Sequence, residues 1–265
     1  MNHQILVFAD WEFLEVPVRI GLLNVDRVRG KEVFSFEYDS RWLQSRYTFL
    51  LDPDLQLYSG PQYLQEGKPN FGIFSDSSPD RWGRVLMRRR EAIRARKEER
   101  RPATLFETDY LLGAHDRHRM GALRFKTRED GPFLDDSSAL ETPPMIHIRE
   151  LEQISLKFER DDALDDPDYE RWLNMLLAPG SSLGGARPKA NVMDADGCLW
   201  IAKFPSLQDD RDMGGWEMVT HDLALEAGIS MAPSRAQRYS SRHHTFLTRR
   251  FDRTADGGAF TLHPP

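Results

Sequence analysis

The stretch Gly180-Ser181-Ser182-Leu183-Gly184-Gly185-Ala186-Arg187-Pro188-Lys189, followed by Leu199-Trp200-Ile201-Ala202-Lys203-Phe204, decides how the chain is read. Small residues at 180–186 let the backbone turn tightly and bare its N–H groups, while Lys189 and Lys203 bring two cations close to the bend. Bare amides beside cations suit a phosphate. The segments flanking Asp194-Ala195-Asp196-Gly197 read as a hairpin, with Ala190–Met193 in one strand and Cys198–Phe204 in the other. Alternation puts Leu199, Ile201 and Lys203 on one face and Trp200, Ala202 and Phe204 on the other. A lone lysine on an apolar strand face either meets an anion or lays its stem along that face with its head in water.

A glycine-rich bend, a strand lysine and then a helix carrying an acid is the order of the nucleotide-binding half of a protein-kinase site. Lys203 is the candidate for the α- and β-phosphates, and Glu217, in Trp216-Glu217-Met218-Val219, is the candidate to orient it. The competing reading of Glu217 is a first-turn acid that favours the helix dipole. For Ser181 and Ser182 it is that small polar residues suit a turn. Neither Gly-x-Gly-x-x-Gly nor Gly-x-x-x-x-Gly-Lys-Ser/Thr occurs.

The rest of the composition narrows the class. With 265 residues and 40% hydrophobic content the chain has material for one large core or two ordinary ones. A net charge of −6 spread over 29% charged residues gives no bulk attraction for nucleic acid. No apolar run approaches the ~18 residues of a membrane span, and Asp10 interrupts the apolar start of the chain. The single cysteine, Cys198, excludes an internal disulfide and suits a reducing cytoplasm.

Taken in order, residues 5–9, 17–24 and 32–38 read as strands of a small antiparallel sheet, with a basic turn over 27–31. From Pro79 the pattern turns helical, with Trp82, Val85, Leu86, Arg89 and Ile93 in step. Between Arg81 and Arg101 stand ten Arg or Lys against three Glu. This is read as a solvated face paired with acids, the competing reading being a nucleic-acid helix. Thr104–Leu112 reads as a short helix, and Arg128–Pro144, rich in Asp, Ser, Gly and Pro, as a linker. Ile148, Leu151, Ile154 and Phe158 mark one further helix, and Tyr169, Trp172, Leu173, Leu176 and Leu177 another. A helix over about 215–226 closes at Gly228 as its cap, and strands near 234–240 and 245–251 follow. The pairs His115/His118 and His243/His244 lack matched ligands at metal spacing, so no metal site is expected. Asp52, Asp54, Glu107 and Asp109 show no hydrolase pairing, and Gly-x-Ser-x-Gly is missing.

Ser182–Lys189 resembles the phosphate loop of the HipA family of bacterial type II toxin–antitoxin serine/threonine kinases. Phe71-Gly72-Ile73-Phe74-Ser75-Asp76-Ser77-Ser78-Pro79-Asp80-Arg81-Trp82-Gly83-Arg84 resembles a segment of that family's N-terminal subdomain. Leu111-Leu112-Gly113 with Gly121–Phe125, Ile201–Phe204, and Arg249-Arg250-Phe251-Asp252-Arg253 fit the same order. The resemblance implies an α+β chain: a HipA-like N-terminal subdomain over 1–127 with an antiparallel sheet and helices, a linker at 128–144, and a protein-kinase-like small lobe over 145–265. It implies ATP as cofactor, with backbone phosphate contacts from Gly184, Gly185 and Ala186, Lys203 and Glu217 as above, Lys189 as a second cation, and Ser182 as a site of regulatory phosphorylation. It further implies a helix-turn-helix, HipB-like antitoxin as partner, DNA met only through that antitoxin, and an aminoacyl-tRNA synthetase as substrate.

One part of the pattern is missing. His-x-Asp-x-x-x-x-Asn does not occur, and the nearest imitation, His221-Asp222, has Ala227 where the Asn belongs. The expectation is therefore a truncated form, with the catalytic acid and Mg²⁺ ligands beyond residue 265 and no transfer activity from this chain alone. The alternative is a non-catalytic protein that binds an antitoxin or other partner through the HipA-like N-terminal fold.

Overall fold

Strands β2 (Val18–Val28) and β3 (Lys31–Tyr38) pair antiparallel across Arg29-Gly30, whose φ angles of 50° and 78° are the left-handed pair that a two-residue hairpin needs to match strand twist. The computed structural model describes residues 2–65, 67–134, 142–160, 166–177, 185, 187–254 and 259. Together with β1 (Asn2–Ala9), β4 (Gln62–Tyr63) and β5 (Leu123–Lys126), the hairpin forms an antiparallel sheet in the order β4-β3-β2-β1-β5. Its inward face carries Ile5, Val7, Ile20, Leu23, Val25 and Phe36, all fully buried. Burying each such side chain is worth about 1.5–3 kcal/mol.

The short helices α1 (Ser40–Leu43) and α2 (Gly72–Asp76) add Trp42 and Phe74 to that core, joined by Phe71 and Phe125. Asp52 fixes the start of α2 by accepting from the Ile73 N–H at 2.8 Å. Burial, and then the charge of Asp52, push the Asp76 carboxyl upward. The next helix, α3, spans Arg81–Lys97, and α4 spans Glu107–Leu112 with Tyr110 and Leu111 inward.

The chain divides into two compact units: Met1–Pro79 with Thr104–Asp136 and Gly258–Pro265, and Asp80–Ala103 with Ser137–Gly257. Helix α3, which the sequence reading kept with residues 1–127, thus groups with the second unit. The reason is local: Trp82 and Arg89 turn toward the ring of Phe158, with the Arg89 guanidinium 4.2 Å over it and donating to the Phe158 carbonyl at 2.9 Å. Much of the basic run is spent on acids of the same unit. Arg94 meets Glu98 at 2.8 Å, Lys97 meets Glu170 at 2.6 Å, and Arg100 meets Glu91 at 2.5 Å. Hydrogen bonds from Arg100 and then from the Ala103 N–H hold the Glu91 carboxyl at about 2.

In the second unit α5 (Ile148–Phe158) and α6 (Tyr169–Leu177) bury the residues their periodicity marks. A four-stranded antiparallel sheet runs β6-β7-β9-β8, from β6 (Lys189–Met193), β7 (Leu199–Lys203), β8 (Ser234–Gln237) and β9 (Thr245–Arg249). Helix α7 covers Met213–Glu226. It begins two residues before the expected 215 because Asp212 caps it, accepting from the Gly215 N–H at 3.1 Å. Gly228 does not cap it directly: Ala227 is the cap, and Gly228, at φ +80°, is the residue beyond. The N–H of Gly228 reaches Leu225 O and that of Ile229 reaches Ala224 O, a Schellman closure. Among the described residues no helix is long and apolar enough to cross a membrane.

Candidate nucleotide site

Pairing of β6 with β7 sets Lys189 directly opposite Lys203, so both side chains stand on one face of the sheet. Like charges so placed repel unless each has its own counter-charge. Each has one, and the two sources are different.

Lys203 reaches across to α7, where its Nζ lies 2.6 Å from Glu217 Oε2; both side chains are 31% exposed. The ammonium also lies 5.5 Å from the ring centre of Phe246, its partner on β9. An ammonium has three donors, of which Glu217 takes one, so Lys203 keeps capacity and solvent access for an incoming anion. That fits a phosphate group.

Lys189 is 2% exposed in its side chain and faces Asp80 Oδ2 at 2.5 Å, with Asp80 itself 4% exposed. Its Nζ also donates to the Gly185 carbonyl at 3.3 Å. The cation offered by the sequence for a phosphate is therefore held by a buried carboxylate, because an ammonium out of water needs a close opposite charge. Gly185 has φ +90°, a conformation that favours glycine. Ser182, Gly184 and Ala186 lie outside the described residues. Arg187, two residues past Gly185, makes a two-pronged pair with Asp209 at 3.0 and 2.5 Å, and Asp209 also accepts from the Ser206 N–H at 2.8 Å.

The position of Glu217 depends on how α7 meets the sheet. Only Gly214 and His221 of this helix are buried. Gly214 lies so close to the β8–β9 connection that an added Cβ would stand 2.1 Å from the His244 carbonyl oxygen. Beside it Asp212 accepts from the His244 N–H at 2.8 Å and pairs with His244 Nδ1 at 2.5 Å. Burial would raise the Asp212 carboxyl, but these hydrogen bonds, that from Gly215 and the His244 charge outweigh it and hold the group at about 2. On α5 the fully buried Glu152 accepts from the Ser240 and Ser241 N–H groups at 3.0 and 2.9 Å, fixing the same connection from below.

The sequence assigns no role to Asp80, Asp209, Asp212, Gly214 or Glu152. Asp212 was signalled by its place three residues before Gly215 at a helix start, whereas the partnership of Asp80 with Lys189 spans 109 positions and carries no local mark. Among the described residues no cluster of three or more His, Cys, Asp and Glu side chains could hold a metal ion.

Residues 181–263 match the family model described as HipA-like C-terminal domain. No curated protein matches the sequence. HipA family kinases use ATP with Mg²⁺, and the family is generally associated with a HipB antitoxin. The match begins in the glycine-rich bend and runs through both lysine strands and Glu217, and over these residues the chain is similar to the HipA-like C-terminal domain.

Proposed function

We propose that this chain binds ATP through its phosphates, as the small-lobe part of a HipA-type serine/threonine kinase toxin. The observation that carries the reading is the Lys203–Glu217 pair, a strand ammonium oriented by a helix carboxylate and still partly open to solvent. In this reading Lys203 meets the α- and β-phosphates, Glu217 holds its ammonium in place, and the backbone N–H groups of Gly184, Gly185 and Ala186 cradle the phosphate oxygens. Phosphorylation of Ser182 would put up to two negative charges beside that cradle and oppose nucleotide binding. Mg²⁺ bound with ATP would neutralise phosphate charge; its ligands are not assigned to these residues.

Binding is assigned to residues 1–265, and transfer is not, since no His-x-Asp-x-x-x-x-Asn spacing supplies the acid and amide that transfer needs. The partner in this reading is a HipB-like helix-turn-helix antitoxin in the cytoplasm, through which DNA is met. An aminoacyl-tRNA synthetase is the substrate class in this reading. A non-catalytic, partner-binding role is favoured by α7, whose Trp216, Val219 and Leu223 are 60%, 47% and 59% exposed, an apolar stripe of the kind that meets another protein surface.

Calorimetric titration with ATP tests the main reading. Wild-type chain is expected to bind and Lys203→Met to bind at least tenfold more weakly, a loss of about 1.4 kcal/mol. Equal affinity in the two proteins would remove Lys203 from the site.

A further inference from the structure

The segment Asp80-Arg81-Trp82-Gly83 has no part in the nucleotide reading, yet it grips the far end of the glycine-rich bend. Asp80 caps α3, its Oδ1 accepting from the Gly83 N–H at 2.8 Å, which leaves Oδ2 to face Lys189 Nζ at 2.5 Å. Trp82, buried beside it, donates from Nε1 to the Lys189 carbonyl at 3.2 Å. Lys189 is therefore fixed at both its backbone and its ammonium, and that ammonium donates onward to the Gly185 carbonyl. A carbonyl held toward Lys189 sets the orientation of its own peptide group, because that group is planar.

Two physical arguments separate a tether from a ligand here. Asp80 and Lys189 are both nearly inaccessible, at 4% and 2% of side-chain exposure, so drawing the ammonium out to a phosphate would leave a carboxylate buried without its cation. And the cross-strand neighbour Lys203, at 31%, is the ammonium that solvent and solutes can reach. The β-sheet thus carries two lysines side by side with divided tasks.

We infer that Asp80 is a positioning residue for the glycine-rich bend: acting through Lys189 it fixes the Gly185 carbonyl, and Lys189 is the tether of the bend, not a phosphate ligand. The tether stands on geometry alone; only its effect on ATP affinity rests on the nucleotide reading.

The test uses the full chain with Asp80→Asn, Lys189→Met and the double variant, read by amide hydrogen exchange and by ATP titration. Each single variant is expected to raise exchange at the Gly185 and Arg187 amides at least tenfold relative to Leu247 in β9. It should also weaken ATP binding by a similar factor, with the double variant no worse than either single one. Unchanged exchange at Gly185 and Arg187 would overturn the tether. So would ATP affinity that rises or holds in Asp80→Asn while falling in Lys189→Met, since Asp80 would then be a competitor for a phosphate-binding lysine. Because a lone buried charge can unfold the unit, Asp80→Leu with Lys189→Met serves as a neutral second pair: a native circular dichroism spectrum with raised exchange supports the tether, and wild-type exchange contradicts it. If exchange responds as expected while wild-type chain binds no ATP, the tether holds and the nucleotide reading fails.

Discussion

Lys203 on β7 and Glu217 on α7 meet at 2.6 Å, joining the sheet of the second unit to its most exposed helix through two side chains that water still reaches. An ion pair so placed is screened, and pairs of this kind contribute about 0–1 kcal/mol to stability. Its value lies in fixing where the ammonium points.

Glu217→Gln is therefore expected to shift unfolding by less than about 1 kcal/mol while weakening ATP binding several-fold. Urea denaturation beside calorimetric titration separates the two effects. A large stability loss with unchanged affinity would make the pair structural.

Gly214→Ala acts on the same helix from its backbone. The added methyl would stand 2.1 Å from the His244 carbonyl oxygen and 3.2 Å from the Phe246 nitrogen, contacts with main chain that no rotamer relieves. Overpacking of this kind costs about 1–3 kcal/mol, so a fall of that size in denaturant stability, with weaker ATP binding as α7 moves, is expected. Wild-type stability would show that the helix seats elsewhere.

Asp212 makes the stability depend on pH. Its folded value of about 2 lies below the ordinary 3.8, so it stabilises the fold above pH 4, and that contribution is lost as pH falls from 4 toward 2. The carboxylate is partly exposed, so screening keeps the contribution near 1 kcal/mol. Asp212→Asn should lose about that much at neutral pH and show a flatter acid limb between pH 4 and 2 in denaturation monitored by circular dichroism. An acid limb as steep as in the wild type would place the titration on another group.

In the first unit Arg119 is fully buried, and its guanidinium donates to the carbonyls of Ser77, Leu111, Ala114 and Leu134 at 3.1, 2.5, 2.8 and 2.9 Å. Arg119→Met strips several buried carbonyls of their donors at once, each costing about 1–3 kcal/mol. Loss of cooperative unfolding is the expected outcome, and a stability change under about 1 kcal/mol would contradict it.

Periodicity makes much of the fold legible in the sequence. The apolar marks of α5 and α6 report burial directly, and burial is what the structure shows at Leu151, Phe158, Trp172 and Leu176. The antiparallel hairpin of β6 and β7 was readable from its Asp-x-Asp-Gly turn, in which Asp194 accepts from the Cys198 N–H at 2.8 Å. The meeting of Lys203 with Glu217 was legible from the order of elements. What stayed hidden depends on distant partners: Lys189 and Lys203 look alike in sequence, and only the register that sets them opposite each other, with Asp80 arriving from far upstream, separates a buried tether from an accessible cation. The grouping of α3 was hidden for the same reason, since its partners Phe158 and Glu170 lie some seventy residues on.

The central claim is that the accessible ammonium of Lys203, oriented by Glu217, binds nucleotide phosphate. Its most direct measurement is the ¹⁵N resonance of the Lys203 side chain during titration with ATP and, separately, with adenosine. The account predicts a saturable shift with ATP that adenosine does not produce and that Glu217→Gln weakens. A Lys203 signal that ignores ATP, while the chain binds it by calorimetry, would contradict the account.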